Sequence, residues 1–133
     1  MGAWGTGNFD NDEALDWLYL LSEAPDLLLL QTTLEAVTGS EEDYLDATDC
    51  AQALAAAEII AALAGHPPEE LPEEVAGWID GRPAPPDDLK MLALIAIEAI
   101  SGEDSELREL WEESDEFEEW QAVLNDLTAR LKT

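Results

Sequence analysis

The sequence predicts an all-α protein, a single compact bundle of six or seven helices with an acidic surface, and three observations carry that prediction. Long runs of Ala, Leu, Glu and Asp are broken by Gly and Pro, strand-like alternation is rare, and apolar residues recur at three- and four-residue spacing. At 133 residues, 47% of them hydrophobic, the chain has the length and apolar content for one domain, residues 1–133, with its own core.

The first helix is announced by Asp10, expected to cap the amides ahead of it with Glu13 as its capping-box partner and Phe9 stapled onto Ala14. It should run to about Glu23 and bury Ala14, Leu15, Leu18 and Leu21 with Trp17. Pro25 suits the first turn of a second helix, Asp26 to Thr38, whose Leu27, Leu30, Leu34 and Val37 keep helical spacing before Gly39 closes it. A third, from about Glu42 to Ala64, has an alanine-rich middle, Cys50 to Ala57, that lets neighbouring helices approach closely and marks it as central. Tyr44, Leu45, Leu54, Ile59 and Leu63 fill the gaps around it.

Gly65, Pro67 and Pro68 end that helix, and a short acidic one follows around Pro72 to Ile79. After the Gly/Pro break at 81–86, Asp87 to Ile100 is apolar almost all round, the pattern of a buried helix. Ser101 and Gly102 stop it. The remainder to Lys132 reads as one long helix or two with a joint near Ser114, with Leu107, Leu110, Trp111, Phe117, Trp120, Leu124, Leu127 and Leu131 on one face.

Charge limits function more tightly than any of these elements. The first basic residue is Arg82: Met1 to Asp80 holds eighteen carboxylates and no Lys or Arg, and the whole chain sets 32 acids against 5 bases, net −27. Such an anion repels nucleic acid and anionic membrane, and attracts basic proteins and, more weakly, divalent cations. No stretch approaches the roughly 18 apolar residues of a membrane span, and the N-terminus lacks the positive segment of a signal peptide. With Cys50 as the one cysteine, a reducing, cytoplasmic setting is expected.

Residues 1–17 carry the most specific motif. They read Met-Gly-Ala-Trp-Gly-Thr-Gly-Asn-Phe-Asp-Asn-Asp-Glu-Ala-Leu-Asp-Trp. This opening resembles the signature of a family of small, mostly bacterial proteins of unknown function, carried here by Trp4, Gly5, Gly7, Phe9, Asp10, Asn11, Asp12, Asp16 and Trp17. The resemblance implies a shared fold element but no activity, cofactor or catalytic residue. Physically, glycines flanking Trp4 suit a hook over residues 1–9 that tucks an indole under the bundle. Asp10, Asp12 and Asp16, with Asn11, could alternatively hold a hard cation, although the calcium-loop glycine and distal glutamate are missing.

No nucleophile elbow, phosphate loop, paired-cysteine zinc motif or His-Glu metal motif is present, and His66 stands alone between Gly65 and Pro67. No cofactor and no catalytic role are expected. The densest acidic tract, Glu103 to Glu119, sets ten acids against Arg108. As one straight helix it would span about 25 Å, near one net charge per 3 Å, close to the spacing of a nucleic-acid strand.

An interaction face of Glu106, Glu109, Glu112, Glu113, Asp115 and Glu116, anchored by Trp111 and Trp120 where those rings reach the surface, is therefore expected. The leading expectation is a non-enzymatic protein that masks a basic partner, immunity- or antitoxin-like or nucleic-acid-mimic-like. The alternatives are a divalent-metal protein using the Asp cluster and an acidic protein adapted to salt.

Overall fold

The computed structural model describes residues 5–39 and 44–133. Among them the chain forms seven α-helices: α1 Asp12–Glu23, α2 Leu28–Thr38, α3 Ala47–Leu63, α4 Glu73–Ile79, α5 Asp87–Ile100, α6 Glu106–Glu112 and α7 Phe117–Lys132. No strand occurs among these residues; a parallel bridge joins Leu45 to Ser105.

Helix α3 packs against every other helix. Its alanines explain why: with side chains this small on all sides, nearly every residue from Cys50 to Leu63 is buried and neighbours can close in from each direction. The buried side chains of all seven helices join in one cluster around it. Aromatic residues fasten the periphery. Trp17 donates from Nε1 to Thr33 Oγ1 at 3.0 Å, tying α1 to α2, and Trp78 donates to Ala24 O at 3.1 Å, tying α4 to the turn between them.

Helix boundaries correct several expectations. The N-cap of α1 is Asn11, whose Oδ1 accepts from Ala14 N at 2.8 Å, because Asp10 is turned back to Gly7. Leu15 is 36% exposed. It lies one residue off the Ala14, Trp17, Leu18, Leu21 stripe, about 100° round the helix. Asp26 lies outside α2, whose N-cap is Leu27; the Asp26 carboxylate accepts from Leu28 N at 3.0 Å in the turn before it.

The third helix starts at Ala47, later than expected, with Asp46 accepting from Thr48 N. The residues just before it are extended because their backbone is used across the chain: Leu45 N donates to Asp104 O at 2.7 Å, and Glu106 N donates to Leu45 O at 2.9 Å. Tyr44 and Leu45 are consequently outside the helix. Helix α5 has the expected bounds but is not wholly covered, since Met91 is 58% and Ile95 47% exposed. The C-terminal segment is two helices. Ser114 forms the joint, donating to Trp111 O and accepting from Glu116 N.

Candidate functional site

The signature segment forms a tight turn against the body of the protein. Asp10 N donates to Gly7 O at 3.0 Å while the Asp10 carboxylate accepts from Gly7 N at 3.2 Å. A Cβ on Gly5 or Gly7 would stand 2.7 or 2.6 Å from Asp10 Oδ2, so the two glycines make room for that carboxylate. Phe9 is buried, Asn11 caps α1, and Ala14 and Trp17 enter the core. Local structure thus accounts for most of the motif. Trp4 lies outside the described residues.

Next to this turn, Asn8 donates from Nδ2 to Glu58 Oε2 at 3.1 Å. Glu58 sits in the middle of α3 and is only 3% exposed, a charge that must be matched where it is. Arg130 of α7 matches it, with Nη1 2.8 Å from Oε1 and Nη2 donating to Oε2 at 3.2 Å. Nη1 also donates to His66 O, leaving Oε1 in charge contact without an aligned hydrogen bond, and Nε binds Asp126 at 2.9 Å. Burial works against the Arg130 charge, but the hydrogen bonds and charges of Glu58 and Asp126 outweigh it and hold the guanidinium above its ordinary value.

A cleft of about 420 Å³ opens over this ion pair. Besides Glu58 of α3, its carboxylates come from three segments: Asp10 from the turn, Glu69 and Glu70 from the connection between α3 and α4, and Glu119 and Asp126 from α7. Phe9, Pro68, Ala122 and Val123 supply apolar wall. Arg130 is the one base in the lining, and it is already held by Glu58 and Asp126. The arrangement suits a cationic group with an apolar stem.

The acidic tract, Glu103 to Glu119, meets the cleft at Glu119 and differs from its expected form. Glu106 accepts from Ala47 N at 2.8 Å, closing the start of α3, and Glu109 accepts from Tyr44 Oη at 2.6 Å. That hydrogen bond pushes the Tyr44 phenol up to about 12. Glu112 pairs with Arg108 at 2.9 Å; Glu113, Asp115 and Glu116 are exposed around the α6–α7 joint. Because α6 ends at Glu112 and α7 begins at Phe117, the tract is not one continuous helix, and the 25 Å rod with its regular charge spacing does not form.

Trp111 and Trp120 are 6% and 2% exposed, stacked with centroids 6.3 Å apart, and so are core residues, not surface anchors. Phe117 stacks on Trp120 from the joint.

Asp12 and Asp16 are exposed on α1, and the Asp10 carboxylate is bound to Gly7 N, so these acids do not converge. Among the described residues no group of three or more His, Cys, Asp or Glu side chains is placed to share a metal ion. Exposed carboxylates also occur on α1, α2, α4 and α5, so they are not confined to the tract. No described helix is long and apolar enough to cross a membrane.

Sequence reading missed Asn8, Glu58, Glu69, Glu70 and Arg130. A signal for Glu58 was present: one carboxylate within the apolar run Ala53 to Leu63 is forced inward and needs a cation from elsewhere. No curated protein and no solved structure matches this chain. The family model described as "Domain of unknown function (DUF4259)" matches residues 2–123, and the chain belongs to that family.

Proposed function

We propose that this chain is a non-enzymatic interaction protein that binds and masks a basic partner, with the cleft over Glu58 and Arg130 and the adjoining α6–α7 joint as its contact surface. One observation carries the reading. The cleft gathers Asp10, Glu69, Glu70, Glu119 and Asp126 around a guanidinium that its own protein already neutralises. A partner's Lys or Arg side chain meets both needs of such a place: its methylene stem lies along Phe9 and Val123, and its head is taken by the rim carboxylates.

The surrounding field favours encounter with the same class of partner. Of the five bases, Arg82 is stacked over Trp78 and bound to backbone carbonyls, Arg108 to Glu112 and Ser101 O, and Arg130 to Glu58 and Asp126. These cations are spent on internal contacts, so the exposed carboxylates keep their reach and steer cations inward at low salt. An immunity- or antidote-like role toward a basic toxin or nuclease fits this better than a strand mimic, which needs a regular charge spacing.

The test is capture of proteins from native-host lysate at low salt by the wild type and two variants of equal charge change. Glu69→Lys/Glu70→Lys/Glu119→Lys is expected to lose the basic proteins that the wild type and Glu23→Lys/Glu35→Lys/Asp80→Lys retain. Recovery of only neutral proteins, or equal loss in both variants, would remove the cleft from the reading.

A further inference from the structure

Away from the cleft, the outer side of α5 presents a surface of a different character. Met91 and Ile95 stand one turn apart with about half their area in solvent, and Leu94 lies beside them. Between them and α7 runs a groove of about 500 Å³ whose lining includes Leu124, Glu98 and Lys132. The chain has two lysines, Lys90 and Lys132, and both are here: Lys132 in the lining, and Lys90 on α5 donating to Thr133 O at 3.4 Å. On a body of net charge −27 this is a surface where apolar area and cations coincide.

The ends of the groove have opposite sign. The Lys90 contact sets the end of α7 beside the first half of α5, so the two helices run antiparallel and the lysines share one end. Glu98 lies two turns along α5 from Met91, about 10 Å away, at the other end with Asn125. Asp87 precedes Met91 by one turn at the lysine end but is outside the lining, and Asp88 belongs to a separate hollow with Leu27 and Gln31.

We infer that this α5–α7 groove is where a second copy of the chain docks, related by a two-fold axis, so that Lys132 of each copy faces Glu98 of the other across paired Met91 and Ile95 side chains. A basic partner meets lysines here, which separates this face from the cleft. A second copy supplies what the groove needs: an apolar strip of equal length with the charges in reverse order. The antiparallel pairing is selected, because a parallel one would set lysine on lysine. Elsewhere the carboxylate-rich surfaces of two copies repel.

Salt separates this association from binding of a basic protein. Screening removes long-range repulsion between two anions while the apolar contact remains, so self-association should strengthen as salt rises, where capture of a basic partner weakens. Sedimentation velocity of the full chain over a concentration series, at low and high salt, should show a monomer passing to a dimer at lower concentration in high salt. Ile95→Glu should weaken the dimer about tenfold or more, with circular dichroism confirming that the helices persist. Lys132→Glu and Glu98→Lys should each weaken it, and the two together should return toward wild type. A chain that stays monomeric at millimolar concentration in high salt overturns the inference. So does a dimer indifferent to Ile95→Glu, or a double swap no better than the weaker single variant.

Discussion

The guanidinium of Arg130 lies 2.8 Å from the carboxylate of Glu58, joining the last helix to the middle of the central one across 72 residues of sequence. The same carboxylate holds Asn8, so one buried charge fixes the signature turn, α3 and α7 in a single arrangement. The cleft depends on that arrangement, because these three segments, with Pro68, Glu69 and Glu70 of the α3–α4 connection, form its walls.

Removing the cation should therefore cost far more than a surface ion pair. Arg130→Ala leaves Glu58 buried without its counter-charge and is expected to lower folding stability by about 3–5 kcal/mol. Glu58→Gln in the same chain removes the stranded charge and should recover part of the loss. Urea unfolding of the three proteins reads both effects; a double variant no more stable than Arg130→Ala would show that Glu58 is not the source.

The signature turn makes a second, smaller prediction. A methyl group at Gly7 displaces the Asp10 carboxylate that Gly7 N donates to, so Gly7→Ala should cost about 1 kcal/mol, the worth of that hydrogen bond. Asp10→Ala loses the same bond. The double variant should cost clearly less than the two together, since one interaction cannot be lost twice. Full additivity in a thermal-unfolding cycle would mean the glycine is required for another reason.

Helices whose signals are local were legible in the sequence. Asp87–Ile100 has its expected ends because Pro86 and the Ser101–Gly102 stop are both adjacent in the chain, and the joint near Ser114 follows from the same kind of local break. The start of α3 was not legible. Tyr44 and Leu45 have helical spacing, but the Leu45 backbone is captured by Asp104 and Glu106, about sixty residues away. The candidate site fared as the distance between its parts would suggest: Gly7, Phe9 and Asp10 of the turn were seen, while Asn8, its distant partner Glu58 and the Arg130 that pairs with Glu58 were not. A stripe pattern shows that Trp111 and Trp120 share a face; it does not show that the face is covered.

Burial of those two indoles can be measured directly. An exposed anchor on the acidic tract could be truncated with a stability change within about 0.5 kcal/mol. Trp120, 2% exposed and stacked between Trp111 and Phe117, should instead cost about 3–5 kcal/mol as Trp120→Ala. A near-neutral result in denaturant unfolding would return Trp120 to the surface.

Cys50 gives the chain an alkaline limit. Burial pushes its thiol up to about 11, against about 8.5 in an unfolded chain. Across that window the unfolded chain gives up a proton that the fold retains, so the folded state binds more protons and stability falls as pH rises. Urea midpoints measured from pH 8 to 10.5 should decline, and Cys50→Ala should flatten the decline. The native thiol should also resist alkylation at pH 8 until denaturant is added. Rapid modification of the folded protein would contradict the burial.

Salt should stabilise the monomer itself, and the reason lies in where the cations sit. Arg82, Arg108 and Arg130 face carbonyls, rings and carboxylates of their own protein, leaving Glu69, Glu70, Glu113, Asp115 and Glu116 exposed to one another's fields. Screening shortens from about 30 Å at 0.01 M salt to about 8 Å at 0.15 M, enough to silence repulsion between different helices while sparing the buried Glu58–Arg130 pair. The melting temperature should rise by several degrees over that range, about what 1 kcal/mol gives in a domain of this size. It should rise equally in Asp12→Asn, whose carboxylate joins no cation cluster. Magnesium chloride at matched ionic strength should give little beyond sodium chloride. A large extra gain from magnesium, lost in Asp12→Asn, would instead point to a cation held by the N-terminal acids.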